Sequence, residues 1–275
     1  MTLYDAPEHQ PFTLGDPGSK KRALLLHGFP GTPAEVRALA KPFTAAGCHV
    51  AGPLLPGFGQ HIEQLGKQSW QDWLQGARSS WLETISSAEE TLLLGYSMGG
   101  ALALLLAAKL PPSHLILIAP FRRLNDWRAP LLPIVKHFKP HLEPFEDADF
   151  DDFEVRLELK ASFPNLNLDD PEVQRFIRED VSLPTSAVDE LRRLGKRAYQ
   201  AAPLIRVDTL LLQGADDKTV RPADSRALAK RLKRATYLEF PGSHELVKPG
   251  QAGHAELLSV LEQQLKNAHY TNYGL

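Results

Sequence analysis

The sequence predicts an α/β fold: a mostly parallel central sheet with helices on both faces and an inserted helical cap. Short apolar runs alternate with helical patterns over most of the chain, as in repeated strand and helix units. A serine flanked by glycines, in GYSMG at residues 95–99, separates one such run from the helix after it. The alternation stops between residues 121 and 206, where prolines and helical patterns replace it. We therefore predict a core of residues 1–120 and 207–275, with the cap at 121–206.

Length and composition are those of an ordinary globular protein. The 275 residues are 43% hydrophobic with a formal net charge of −2, which suits one α/β domain with an insertion and gives no attraction to nucleic acid. The first residues, MTLYDAPEHQPF, lack the basic and apolar regions of a signal peptide. We expect a cytoplasmic protein without stable membrane anchoring. The single Cys48 fits a reducing compartment and is expected to be buried.

The predicted core strands share short apolar sequences bounded by glycine or polar residues. They lie at 12–14, 23–27, 49–51, 91–96, 115–119, 209–213 and 236–240. The core helices are apolar on one face, or all round where the helix is buried. They lie at 32–47, 70–85, 98–110, 222–232 and 255–265. For the first helix, Thr32, Pro33 and Glu35 match a capping box with proline in the first turn.

The inserted segment carries no convincing strand pattern. An acidic stretch covers residues 143–154, and two capped helical patterns follow it. One begins at Asp170-Pro171 and the other at Thr185-Ser186. These features predict a mostly helical cap whose acidic stretch faces solvent.

Ser97 is predicted to lie on a sharp turn between a buried strand and a buried helix. In the pattern G-x-S-x-G, the glycines let the strand and the helix approach closely, and the serine adopts a strained backbone conformation. This geometry lifts the hydroxyl clear of the sheet and directs the N–H of Met98 at whatever the hydroxyl attacks. A small-residue turn without chemistry is the alternative that these five residues leave open, so a nucleophile needs support from the rest of the chain.

Candidate acid and base partners for Ser97 follow later strands. A serine hydroxyl needs an imidazole to take its proton and a carboxylate to orient that imidazole. The carboxyl ends of parallel strands meet at one edge of a sheet. GADDKTV at 214–220 and GSHELV at 242–247 follow two predicted strands. They supply Asp217 and His244, so the chain order is serine, acid, histidine.

The segments LLLHGFPGTPAE at 24–35 and GYSMGG at 95–100 carry a resemblance to the α/β-hydrolase superfamily. The sequence is similar in particular to small carboxylesterases and monoacylglycerol lipases with a helical cap. The resemblance implies Ser97 as nucleophile, His244 as general base and then acid, and Asp217 as the carboxylate that orients it.

The same resemblance implies an oxyanion hole formed by the N–H groups of Phe29 and Met98. Asp216 competes with Asp217 for the acid role, and the family-like spacing G-x-x-D-x-x-V favours Asp217. Two positions depart from the family pattern: PGFG at 56–59 replaces the common PGHG, and Asp208 replaces a proline before the next strand.

The remaining histidines are expected to have structural or surface roles. His27 is expected to hydrogen-bond the oxyanion loop, and His254 to face solvent on the last helix. His137, His141 and Glu143 are of ligand type, but an intervening proline interrupts their helical spacing. We predict no metal site and no cofactor.

Together these assignments predict a serine hydrolase that cleaves carboxylic esters through an acyl-enzyme. Phe29, Met98 and Phe58 are expected to form an apolar slot, with Phe58 contacting substrate, for short- to medium-chain acyl groups or monoglycerides. The expected partner is therefore a small-molecule acyl ester, and the oligomeric state is left open. An acyltransferase with the same triad, or a ligand-binding protein on the same scaffold, is the alternative.

Overall fold

The computed structural model describes residues 4–162, 166–179 and 181–271. The chain divides into two compact units, one formed by Met1–Asp126 with Glu190–Leu275 and the other by Trp127–Asp189. That residues 121–206 form a cap, with these bounds, remains a prediction.

Nine strands occur within the described residues. They are β1 (Phe12–Leu14), β2 (Lys21–Leu26), β3 (His49–Gly52), β4 (Glu90–Tyr96), β5 (His114–Ile118), β6 (His141–Leu142), β7 (Leu183–Pro184), β8 (Thr209–Gly214) and β9 (Ala235–Phe240). The predicted core strands are confirmed to within two residues at either end.

The α-helices of the described residues follow in chain order. They are α1 (Ala34–Arg37), α2 (Ala40–Ala45), α3 (Trp70–Ile85), α4 (Met98–Ala107), α5 (Leu132–Val135), α6 (Phe153–Ser162), α7 (Pro171–Glu179), α8 (Thr185–Ala201), α9 (Pro222–Ala229) and α10 (His254–Thr271). Short 3₁₀ segments include Gly59–Lys67 and His244–Val247.

The first unit contains a seven-stranded sheet in the order β1-β3-β2-β4-β5-β8-β9. The edge strand β1 runs antiparallel to β3, and the other neighbours pair in parallel. This confirms the predicted fold class. Because parallel strands end at the same edge, the loops after β2, β4, β8 and β9 meet there.

Burial on both faces explains the apolar sequences of the central strands. β5 reads HLILI and β8 reads TLLLQG, and β8 is buried throughout. A parallel sheet covered on both sides needs such continuous apolar runs. The helix α4 is likewise almost wholly buried, which accounts for its run of alanine and leucine.

The predicted capping box at the first helix is wrong. The N-cap residue of α1 is Pro33, which forms no side-chain cap, and the helix is interrupted before α2 begins. Oγ1 of Thr32 accepts the N–H of Ala34 at 3.4 Å, which is not the bond to Glu35 that a capping box requires. The hydroxyl of Thr32 instead bonds to Nδ1 of His9 at 2.8 Å. Oε2 of Glu35 accepts the N–H of Gly28 at 2.8 Å. The carboxylate has a donor in the preceding loop, so the local pattern gives way to a longer-range contact.

The second unit has its own small core. Phe150, Leu159, Leu168 and Ile177 form a buried cluster there. β6 and β7 pair antiparallel over two residues, a ladder too short to be seen as alternation in the sequence. The start of α7 at Pro171 and of α8 at Thr185 confirms the two predicted helices, whereas α6 was not predicted.

The first unit fixes the chain where it leaves for the second unit and where it returns. Nδ2 of Asn125 donates to the carbonyls of Lys218 at 3.3 Å and Thr219 at 2.9 Å. Oε2 of Glu190 accepts the N–H of Trp70 at 3.2 Å, at the first turn of α3. Both ends of the insertion are thus hydrogen-bonded within the first unit.

Candidate active site

Ser97 occupies a strained turn between β4 and α4. Its backbone has φ 51° and ψ −115°, which a side chain with a Cβ rarely adopts. Two contacts of this turn require glycine: a Cβ on Gly95 would collide with the carbonyl of Gly99, and a Cβ on Gly99 with the carbonyl of Leu26. The strand and the helix can therefore close on Ser97, as the sequence pattern predicts.

The structure brings Ser97, His244 and Asp217 into one hydrogen-bonded chain. Nε2 of His244 lies 3.1 Å from Oγ of Ser97, and Nδ1 of His244 lies 2.7 Å from Oδ2 of Asp217. Ser97 and Asp217 are 5% and 3% exposed, so these contacts are shielded from bulk water. The arrangement lets a proton move from the serine to the imidazole while the carboxylate holds the ring.

Backbone and side-chain donors surround the carboxylate of Asp217. Its Oδ1 accepts the N–H groups of Thr219 at 2.9 Å and Val220 at 2.7 Å. Its Oδ2 accepts from Nε2 of Gln213 at 3.0 Å as well as facing His244. The neighbouring Asp216 instead accepts the N–H of Gly242 at 3.2 Å. Of the two aspartates that the sequence offers, Asp217 is the one facing the imidazole.

Tyr96 supports His244 from β4. Its hydroxyl donates to the carbonyl of His244 at 3.0 Å, and the two rings lie 5.1 Å apart between centroids. Burial by itself would lower the pKa of His244. The hydrogen bond and charge of Asp217, with the charges of Glu245 and Glu35, outweigh that effect and raise the pKa above its ordinary value.

His27 hydrogen-bonds the loop that follows β2, as predicted. Its Nε2 accepts the N–H of Leu55 at 3.1 Å, so the proton of the neutral ring is on Nδ1, which donates to the carbonyl of Gly28 at 2.9 Å. Burial lowers the pKa of His27 to about 4. The uncharged imidazole therefore joins the loop at Gly28 to the segment at Leu55.

The two expected oxyanion donors come from neighbouring strand ends: Phe29 lies after β2, and Met98 directly follows Ser97 after β4. Met98 begins α4, and the first N–H groups of a helix have no partner within that helix. Phe29 follows Gly28, whose own N–H is already taken by Glu35. The roles of both N–H groups remain predictions.

Phe58 lies in an aromatic cluster with Phe29, Trp73 and His27. Ring centroids lie 5.8 Å apart for Phe29 and Phe58, 5.7 Å for Phe58 and Trp73, and 5.2 Å for His27 and Phe58. Phe58 has no exposed surface, whereas Phe29 is half-buried. Of the two phenylalanines, only Phe29 therefore has exposed surface that a ligand could contact. The buried ring of Phe58 packs against it.

Sequence reasoning missed three residues beside this site. The sequence pattern predicts only strand positions for Gln213 and Tyr96 and a helix cap for Glu35. Gln213 had a signal in the sequence, because a buried amide within LLLQG must find hydrogen-bond partners. Tyr96 and Glu35 have no such signal, since Tyr96 bonds to the distant His244 and Glu35 bonds backwards to the loop before its own helix.

Other predicted positions fall outside the site. Nδ1 of His254 bonds to the carbonyl of Leu246 at 3.0 Å, so it is tied to the preceding segment instead of facing solvent freely. Glu143 forms an ion pair with Lys139 at 2.8 Å. Within residues 4–162, 166–179 and 181–271, no three His, Cys, Asp or Glu side chains are grouped to hold a metal. No helix in this part of the chain is long and apolar enough to cross a membrane.

Two curated relatives match part of the chain. A thermostable monoacylglycerol lipase from Bacillus sp. (strain H-257) is 36% identical over 88 residues, which are 32% of this chain and 35% of the relative. A carboxylesterase from Bacillus subtilis (strain 168) is 32% identical over 103 residues, which are 37% of this chain and 41% of the relative. The matches therefore span less than half the length of each relative.

Solved structures of similar fold extend over nearly the whole chain. A structure from work on the metagenome-derived lipolytic enzymes LipS and LipT superposes with a TM-score of 0.74 at 20% identity, covering 95% of this chain and 98% of that one. The monoacylglycerol lipase of Paleococcus ferrophilus gives a TM-score of 0.67 at 21% identity, covering 93% and 97%. At these identities the likeness establishes the α/β-hydrolase fold.

The family match covers the strands and loops that carry the geometry above. Residues 18–248 match the family Hydrolase_4 (Serine aminopeptidase, S33). This range includes Ser97, Asp217 and His244, and it is well over half of the 275 residues. The chain therefore belongs to the Hydrolase_4 family of α/β-hydrolases.

Proposed function

We propose that this protein is a carboxylic ester hydrolase that works through an acyl-enzyme on Ser97. The observation that carries the proposal is the continuous hydrogen-bonded chain from Oγ of Ser97 through His244 to Asp217. A nucleophile within reach of a base, and a base held by a third group, is the arrangement that acyl transfer needs. The names of the two partly matching relatives agree with it.

Acylation begins at the hydroxyl of Ser97. Oγ attacks the ester carbonyl carbon while its proton passes to Nε2 of His244. The carbonyl oxygen becomes an oxyanion, which the N–H groups of Phe29 and Met98 stabilise. When the intermediate collapses, the bond to the alcohol oxygen breaks and the alcohol takes its proton from His244. The acyl group is then bonded to Ser97.

Deacylation repeats these steps with water. The oxygen of a water molecule attacks the acyl carbon while His244 takes a proton from that water. His244 then returns the proton to Oγ of Ser97 as the carboxylic acid leaves. Asp217 remains a carboxylate throughout, holding the proton of the neutral ring on Nδ1 and stabilising the charged ring. These steps use side chains, backbone N–H groups and water alone.

The proposed substrates are short- to medium-chain acyl esters, monoglycerides included. The half-buried ring of Phe29, backed by Phe58 and Trp73, gives an apolar surface next to the proposed oxyanion loop. A series of p-nitrophenyl esters from acetate to laurate, with monoglycerides, tests this. We expect kcat/KM to rise with chain length and then fall. A preference for charged or polar acyl groups would contradict the proposal.

The test of the nucleophile is labelling with a fluorophosphonate, followed by intact-mass measurement and peptide mapping. Wild type should gain one adduct, on Ser97, and Ser97→Ala should gain none while keeping its fold. Ser79→Ala, at an exposed position of α3, is the matched control and should be labelled like wild type. A folded wild-type protein that stays unlabelled and inactive on every ester would favour a ligand-binding role instead.

The same labelled serine also serves an acyltransferase or an aminopeptidase. Product analysis with a competing alcohol or amine separates hydrolysis from transfer, and aminoacyl p-nitroanilides test the activity that the family description names. We expect free acid as the main product and no amide cleavage at rates near those for esters. If most of the acyl group is transferred to the competing acceptor, or if amides are cleaved faster than esters, the proposal of an ester hydrolase is wrong.

A further inference from the structure

The carboxylate of Glu35 lies against the loop that joins β2 to α1. Its Oε2 accepts the N–H of Gly28 at 2.8 Å. Gly28 immediately precedes Phe29, so this bond holds the chain directly next to the peptide unit whose N–H is the proposed oxyanion donor. When Glu35 is ionised, this hydrogen bond is charge-assisted and about twice as strong as one between neutral groups.

The far end of the loop meets the same carboxyl group. A Cβ on Gly31 would collide with Oε1, Oε2 and Cδ of Glu35. A Cβ on Gly28 would lie 3.1 Å from Oε2 of Glu35 and 3.3 Å from Cβ of Ser97. One carboxyl group therefore touches both ends of the tetrapeptide 28–31, which itself packs against the serine.

Several charged or titratable groups interact electrostatically with Glu35. They are Tyr4, Tyr96, His244, Glu245 and Lys248. Burial raises the pKa of Glu35 to about 7; the Gly28 hydrogen bond opposes this, Glu245 adds to it, and Lys248 and His244 oppose it. In return, the charge of Glu35 is among the causes that raise the pKa of His244. The Cβ position on Gly28 that lies 3.1 Å from Oε2 of Glu35 lies 3.2 Å from Cε1 of Tyr96, and the ring centroid of Tyr96 is 5.1 Å from that of His244. Glu35 therefore lies near the proposed base as well as against the loop.

We propose that Glu35 is a positioning residue that fixes the oxyanion loop through Gly28 and Gly31 and whose negative charge stabilises the protonated His244 formed during the reaction. The inference rests on the proposed function. Glu35 touches neither Ser97 nor the substrate in this scheme; it acts through the loop and through its field at the imidazole. A helix cap, the role the local sequence pattern gives it, would have neither effect.

Two substitutions separate the two effects. Glu35→Gln keeps an oxygen acceptor for the N–H of Gly28 and the same size, but it removes the charge. Glu35→Leu removes the charge and the acceptor together. Glu83→Gln, at an exposed position of α3, is the matched control for loss of a carboxylate.

The experiment measures kcat and KM for p-nitrophenyl butyrate from pH 5 to 9 for these three variants and wild type. For Glu35→Gln we expect kcat within about threefold of wild type, and a kcat/KM profile whose acid limb moves to lower pH. For Glu35→Leu we expect kcat to fall about 10- to 100-fold with KM nearly unchanged, because small misplacements of reacting groups have effects of that order. Glu83→Gln should match wild type throughout.

Other outcomes overturn one proposal or the other. If wild type is labelled at Ser97 and hydrolyses esters, but Glu35→Gln has the wild-type pH profile, the charge of Glu35 does not act on His244 and the inference fails. If Glu35→Leu folds and keeps the wild-type kcat, the loop does not depend on Glu35, and the inference fails again. If Glu35→Leu does not fold, the pH profile of kcat/KM for Glu35→Gln decides whether the inference holds. Wild type without label or ester activity contradicts the proposed function itself.

Discussion

Nε2 of Gln213 donates to Oδ2 of Asp217 at 3.0 Å, the same oxygen that faces Nδ1 of His244 at 2.7 Å. The other end of the amide is occupied, because its Oε1 accepts the hydroxyl of Ser225 at 2.5 Å. Gln213 and Ser225 have 0% and 1% exposed surface. The orientation of the carboxylate is thus set by a buried amide whose turning over would break the bonds of Nε2 to Asp217, Gly214 and Val220 as well as the one from Ser225.

Replacing Gln213 by methionine should weaken the proposed reaction. The change keeps the shape but removes the donor to Asp217 and to the carbonyls of Gly214 and Val220. A hydrogen bond to a charged group is worth about 1.5–3 kcal/mol, so we expect kcat/KM to fall about 10- to 100-fold. Steady-state kinetics measure this, and unfolding in urea measures the accompanying loss of stability. Unchanged kcat/KM would show that Asp217 keeps its position without Gln213.

The pH dependence of kcat/KM should follow His244. A general base must be neutral, so activity rises with pH through the pKa of this group. Because Asp217, Glu245 and Glu35 together outweigh burial and raise that pKa, we expect the midpoint to lie above the ordinary value of about 6.5. A pH series with p-nitrophenyl butyrate measures the midpoint. A flat profile from pH 5 to 8 would count against His244 as the base.

Acid should destabilise the fold through His27. Its pKa in the folded state is lowered to about 4, while the unfolded chain takes up a proton near pH 6.5. The stability that the neutral ring contributes is therefore complete above pH 6.5 and is lost as the pH falls toward 4, by about 3 kcal/mol in total. Burial of Glu35 gives stability the opposite pH dependence to that from His27, because the pKa of the Glu35 carboxyl is raised to about 7.

His27→Gln isolates this contribution. We expect the variant to be less stable than wild type at pH 7 and the gap to narrow as the pH is lowered to 5, because the variant has no imidazole to protonate. Urea midpoints at several pH values give the comparison. A gap of constant size would mean that His27 is not the group responsible.

Gly99→Ala tests the close approach at the serine turn. The added methyl group would overlap the carbonyl of Leu26, so β2 and α4 must move apart. We expect a loss of stability of about 1–3 kcal/mol, as for overpacking of a core, together with slower labelling of Ser97. Thermal unfolding and labelling kinetics measure the two effects. Normal stability and normal labelling would show that the turn relaxes without moving Ser97.

Much of the fold follows from the sequence because its signals are local. The strands that become β4, β5 and β8 are short apolar runs between glycine and polar residues, and the parallel order of the sheet follows from their alternation with helices. Since parallel strands end at one edge, Ser97, Asp217 and His244 could be placed near each other without knowing any distance.

The remainder depends on contacts that reach outside a single helix or strand. The pattern Thr-x-x-Glu at 32–35 has the form of a helix cap, yet the carboxylate of Glu35 accepts the N–H of Gly28 in the preceding loop. Tyr96 is indistinguishable from a core aromatic until its hydroxyl is seen at the carbonyl of His244. Local sequence patterns predict hydrogen-bond partners that are near in sequence. They do not predict partners that only folding brings close.

The anchoring of Asn125 and Glu190 within the first unit has an evolutionary consequence. Because both ends of the stretch between them are held by Lys218, Thr219 and Trp70, mutations, insertions or exchanges within residues 127–189 leave these attachment points in place. Selection can then rewrite that stretch without touching the strand ends that carry Ser97, Asp217 and His244. The residues that form these anchors and the residues at the strand ends all lie outside 127–189, so a substitution within that stretch replaces none of them.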